Sequence, residues 1–268
     1  ELGTIDAKGL VVVARGPVTQ SGVVSAPNST STITAQNVAG DTKYDVTLEN
    51  TLNDLKTLVV VAADNVSLKD KNAIELGAST VSGNYALTAG DAVTNSGALD
   101  IGGITTITAS GQTVELNEAT NNFVGEVRIT GGAVTIVDED TLVLGASTVG
   151  GAYTVTAGGA ITQGLGALDI TGITTITAQD SSNVKQGVTL GTATNDFGNE
   201  VRITGAAVTI VDEDTLVLGA STVGGNFSAT ATNGNITQTG ALAITGTTTL
   251  VTSENNATIT LETSTNKF

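Results

Sequence analysis

Apolar and polar residues alternate along this chain in short runs. In 200–205 (EVRITG), Val201 and Ile203 fall on one face, and Glu200, Arg202 and Thr204 on the other. That period of two marks a half-buried β-strand. Runs of the same kind follow one another, as in 153–157 (YTVTA), 168–172 (LDITG), 174–178 (TTITA) and 207–214 (AVTIVDED). No 11-residue window shows a clean apolar period of 3.6, so no helix is expected.

The strands recur in a fixed order. Val201–Gly225 (VRITGAAVTIVDEDTLVLGASTVGG) repeats Val127–Gly151 with one difference, Ala206 for Gly132. Four copies of a unit of 68–74 residues can be aligned, at 2–75, 76–143, 144–217 and an incomplete 218–268. Within each unit, the alanines that end apolar strands recur about every 20–24 residues, and one longer step carries the insertion Gln179–Gly187 (QDSSNVKQG). Three short strands and three turns need about that many residues. The expected fold is therefore all-β, a parallel β-helix (solenoid) of about three coils per repeat, continuous over 1–268, with like residues stacked over like. The alternative is a tandem array of β-sandwiches. It is disfavoured because the units are short, carry few aromatic residues and show a sub-period that a sandwich has no use for.

Composition agrees with this pattern. Aromatic residues are 3% of the chain, with no Trp, Met, Cys or His, and Gly reaches 33 residues. The net charge of −16 argues against nucleic-acid partners and anionic membrane surfaces, which need basic patches. The longest apolar runs, such as Leu58–Ala63, are far too short for a transmembrane segment. The chain opens on Glu1-Leu2-Gly3 without a signal-peptide pattern, which reads as a processed or cut end.

The strings GAITQ (159–163), GALDITGITTITA (166–178), TNDFGNEV (194–201), AVTIVDEDTLVLG (207–219) and GALAITGTTTL (240–250) resemble the repeats of large bacterial filamentous-haemagglutinin-like exoproteins. The resemblance covers about 76–268 well and the first copy loosely. It implies a right-handed β-helical rod that holds adhesive regions away from the cell. The secretion domain of that family has no counterpart here.

Five groups of residues are candidates for chemistry. The clusters Asp138-Glu139-Asp140 and Asp212-Glu213-Asp214 offer the oxygens that Ca²⁺ takes, but they match no known calcium-loop spacing, and a solvated turn explains them as well. Arg128 and Arg202, beside Glu126 and Glu200, could hold a sugar carboxylate; a surface charge pair is the plainer reading. Thr32/Thr34, Thr106/Thr108 and Thr175/Thr177 have the Thr-x-Thr form of ice-binding faces, but recur only every third coil. Asn121-Asn122 and Asn195-Asp196, each before a Phe, read as structural side chains of one recurring turn, of the kind that stack in ladders. Asn28, Asn65, Asn235 and Asn256 lie in N-x-S/T sequons, as a chain rich in Asn and Thr produces by chance.

A polysaccharide-cleaving enzyme needs a site that breaks the repeat once, and here the acids recur with it. The expected function is a non-catalytic structural rod of a secreted or cell-surface bacterial fibre or adhesin, with no cofactor. A carbohydrate-binding or carbohydrate-cleaving β-helix is the alternative. Expected partners are other copies of the chain or the rest of a longer rod, joined through open end coils, and a host or glycan receptor.

Overall fold

A computed structural model describes residues 1–268. Every regular element is a β-strand, and every strand-to-strand ladder pairs in parallel. The chain divides into two compact units, Glu1–Gly132 and Ala133–Phe268, and each is a β-solenoid.

In the first unit, Val46–Leu48, Val66–Asp70, Tyr85–Ala89, Thr105–Thr108 and Glu126–Gly131 pair in that order. A second ladder runs through Asp54–Ala62, Ile74–Leu76, Val93–Asn95 and Val114–Leu116, and a third through Ser79–Val81, Leu99–Ile101 and Asn122–Phe123. The divergent start of the chain pairs less regularly. Val24–Ala35 carries a register shift after Ala26, and Pro27, which has no N–H to give a ladder, sits in that break.

The second unit repeats the plan. Val134–Asp138, Tyr153–Ala157, Thr174–Ala178 and Glu200–Gly205 form one ladder. Leu142–Leu144, Ile161–Gln163, Val188–Leu190, Val208–Asp212, Phe227–Ala231 and Thr248–Thr252 form another. Ser147–Val149, Leu168–Ile170 and Asp196–Phe197 form the third.

The inward positions build apolar columns. Ile136, Val155, Ile176 and Ile203 stack in register, and each is at most 2% exposed. Burial of each such side chain stabilises by about 1.5–3 kcal/mol. Beside them, Val134, Tyr153, Thr174 and Val201 stack in register, with the small Thr174 next to the large Tyr153. The expected inward Val201 and Ile203 are buried, and Arg202 is exposed.

The stacking of like over like fails from one repeat to the next. Glu200–Gly205 is one straight strand, yet the coil above it lays two short strands on it. Glu200 and Val201 pair with Val217 and Leu218, while Thr204 and Gly205 pair with Thr222 and Val223. The coil of Glu200–Gly205 and Val208–Asp212 has one strand fewer than its neighbours. A repeat therefore advances three coils and one further strand, and equivalent strands change ladders. Val134–Asp138 pairs with Tyr153–Ala157, whereas its counterpart Val208–Asp212 lies in the other ladder, between Val188–Leu190 and Phe227–Ala231.

Candidate functional site

The recurring polar side chains gather where one repeat gives way to the next, and local sequence explains the construction. In LGAST (76–80 and 218–222), Gly and Ala form the break between the two short strands. A Cβ on Gly77 would press on the Val59 side chain, and one on Gly219 on the Glu200 side chain, so either would displace the side chain beneath it. The break leaves a strand N–H of the preceding coil without a carbonyl, and the next serine supplies the acceptor. Ser79 Oγ takes the Val60 N–H at 3.0 Å, and Ser221 Oγ takes the Ile203 N–H at 3.0 Å. Both hydroxyls donate in turn to the glycine two residues back, Gly77 O at 2.9 Å and Gly219 O at 3.1 Å.

A buried asparagine holds the opposite side of the junction. Asn53, Asn121 and Asn195 are fully buried. Asn195 Oδ1 accepts from Gln163 Nε2 at 2.6 Å and from the Leu168 N–H at 3.0 Å, and its Nδ2 donates to Gln163 Oε1 at 3.0 Å. Asn53 does the same with Gln20 and the Val24 N–H, and its Nδ2 also reaches Leu48 O and Lys69 O, each at 3.1 Å. Asn121 takes Asn95 Nδ2 at 2.8 Å and the Leu99 N–H at 3.0 Å. The expected stacking of side-chain amides occurs here between unlike positions: Asn121 faces Asn95, while Asn53 and Asn195 face the glutamines Gln20 and Gln163 of the preceding coil. Side-chain stacking of the expected kind also occurs at another turn, where Asn65 Nδ2 donates to Asp45 Oδ1 and Asn65 Oδ1 accepts the Asn84 N–H.

A buried aspartate completes the junction. Asp70 Oδ1 accepts the Asn72 N–H of its own turn at 2.9 Å, and Oδ2 accepts the Leu55 N–H of the preceding coil at 2.7 Å. Burial pushes its carboxyl up to about 6; Asp54 adds to the shift, and the two N–H bonds and Lys71 oppose it. Asp212 accepts the Asp214 N–H at 2.9 Å. The Phe197 N–H of the preceding coil favours its charged form, though no donor completes a hydrogen bond to Oδ2. Burial pushes this carboxyl also to about 6, with Asp196 and Asp214 adding to the shift.

These positions correct the solvated-turn reading of the acidic clusters. Asp138 and Asp212 are 2% and 1% exposed and bond backbone N–H groups, while Glu139, Asp140, Glu213 and Asp214 face solvent. No three acidic side chains converge as a metal site would require, so the Ca²⁺ candidates are not brought together. Asp70, Asn53 and Gln163 escaped the sequence reading; their signal was equivalence to Asp138/Asp212, Asn121/Asn195 and Gln238 in the aligned copies.

Arg128 pairs with Glu126 at 2.6 Å on the surface, and Arg202 with Glu200, whose carboxyl the Arg202 guanidinium holds below its ordinary value. The threonine pairs are denser than expected. Thr154 and Thr156 lie directly against Thr175 and Thr177 on adjacent coils, and Arg202 then interrupts the array.

One shallow recess recurs. Asn84, Tyr85, Ala86, Ile104, Thr106 and Arg128 line about 260 Å³ in the first unit. The equivalent Asn226, Phe227, Ser228, Thr247 and Thr249, with residues 207–209, line about 490 Å³ in the second. Asn84 and Asn226 each take one backbone N–H through Oδ1, from Ile104 and Thr247.

Comparison with known proteins bears on the repeats. A family described as "Repeats of unknown function (DUF5649)" matches 1–62, 63–130, 131–204 and 205–268. Its boundaries fall at the last residue of the long strands Glu126–Gly131 and Glu200–Gly205, so each of its repeats begins ahead of the copy counted from LGAST. The chain matches no curated protein and no solved structure.

Proposed function

The chain belongs to this repeat family, and from that premise we propose that it is a non-catalytic structural segment of a secreted or cell-surface bacterial fibre or adhesin. The observation that supports this reading is the use to which the chemistry-bearing side chains are put. Asp70 and the recurring Asn and Gln residues are bound up in contacts that lock one coil to the next. Parallel coils present the same strand edges at every level, so the partner that fits is more of the same: further repeats, or another copy stacked heterologously into a filament. The resemblance to filamentous-haemagglutinin-like exoproteins supports the placement outside the cell. The test is the flanking gene sequence together with surface labelling of producing cells. A secretion domain and surface-exposed repeats are expected; a cytoplasmic protein would overturn the reading.

The recurring recess favours a second reading, a carbohydrate-binding β-helix. Its Asn, Thr and Ser side chains suit ligand hydroxyls, and Arg128 a carboxylate. A glycan array with Asn84→Ala and Asn226→Ala as controls tests it. Binding lost in those variants would favour this reading, and an empty array would remove it.

A further inference from the structure

Strand pairing lapses at two junctions, and Asp70 and Asp212 stand where it lapses: Leu55 pairs with Ala26 below, while the next coil pairs with the Leu55 strand only at Thr57 and Leu58. Asp196–Phe197 pairs with Leu168–Ile170 on one side and with no strand on the other. The coil that follows brings Asp212 there in place of a strand carbonyl. Asp70 fills the same role for the Leu55 N–H, at 2.7 Å. A carboxylate used in this way is shut off from water, at 4% exposure for Asp70 and 1% for Asp212. Charge in such a place costs stability unless a cation offsets it.

The surroundings supply little positive charge. Around Asp70, the preceding coil contributes Asp54, the same turn Lys71 and the following coil Asp91. Lys71 is held by Asp54 at 3.0 Å. Around Asp212, the preceding coils contribute Asp196 and Asp169 and the same turn Glu213 and Asp214, while the following coil offers the uncharged Thr232 and Asn233. Asp196 is itself raised, by burial and then by Asp169 and Asp214.

We propose that the repeat junctions are acid-tightened joints, in which mild acidification discharges Asp70 and Asp212 and relieves the cost of holding their buried charge between coils at neutral pH. Both carboxyls titrate near 6 in the folded chain, against an ordinary value of 3.8. Folding therefore takes up protons between those values, and stability rises as pH falls through 6. This is the reverse of ordinary acid denaturation, and it suits a fibre that meets acidic surroundings.

The experiment is thermal unfolding of the full chain at pH 7.5 and 5.0, for the wild type and for Asp70→Asn/Asp212→Asn. In parallel, ¹³C NMR of the wild type follows the Asp carboxyl groups through the titration. The wild-type midpoint should rise by about 5–10 °C on acidification. The double variant should lose most of that rise, and two carboxyl signals should titrate near 6. The proposal is overturned if those two signals titrate near 4, or if the folded double variant keeps the full wild-type rise. Should the double variant fail to fold, the NMR titration of the wild type decides alone.

Discussion

Gln163 and Asn195, 32 positions apart, face each other as a reciprocal amide pair: Gln163 Nε2 donates to Asn195 Oδ1 at 2.6 Å, and Asn195 Nδ2 donates to Gln163 Oε1 at 3.0 Å. The pair spans two coils and draws in the Leu168 N–H. Asn195→Ala strips that buried N–H and the glutamine amide of partners at once. It should cost about 3 kcal/mol, since each buried group left unsatisfied costs about 1–3 kcal/mol. Denaturant unfolding measures the loss. A cost below about 0.5 kcal/mol would show that water replaces the side chain.

Tyr85 makes the opposite case. Its ring is buried, and its hydroxyl has no hydrogen-bond partner. The fourth repeat places Phe227 at the equivalent position, also buried. Tyr85→Phe should therefore leave stability unchanged or raise it by up to about 1 kcal/mol. A clear loss would mean that the hydroxyl has a partner in solution.

The two faces of one strand give a paired test. Ile203→Asp places an unpaired charge in a position 2% exposed and should cost several kcal/mol. Arg202→Ala removes only a surface ion pair with Glu200 and should change stability by less than about 1 kcal/mol. Unfolding midpoints of the two variants should differ widely, and similar values would contradict the burial pattern.

Gly90 and Gly191 separate glycine as a packing necessity from glycine as filler. A Cβ on Gly90 would strike the Lys71 carbonyl, and Lys71 is anchored by its N–H to Asn53 O at 2.9 Å. Gly90→Ala should cost about 1–3 kcal/mol as the coils are pushed apart. Around Gly191 nothing lies within 4 Å, so Gly191→Ala should be tolerated, and loss of chain entropy in the unfolded state favours it slightly. Comparison of the two by thermal unfolding checks the assignment.

The sequence alone determined the local order. Alternation in EVRITG and YTVTA fixed which side chains turn inward, because the period of two is a property of each strand by itself. The near-identity of 127–151 and 201–225 disclosed the repeats, and the alanine spacing disclosed the coils. Tertiary structure decided what the coils do to one another. The ladder on which a strand lands depends on the summed lengths of all strands and turns since the coil before it. One straight strand, Glu200–Gly205, carrying two short ones therefore moved every later equivalent to another ladder. The burial of Asp70, Asp138 and Asp212 was hidden for the same reason. An aspartate in a turn reads as solvated until the preceding coil is seen to leave a backbone N–H for it to hold.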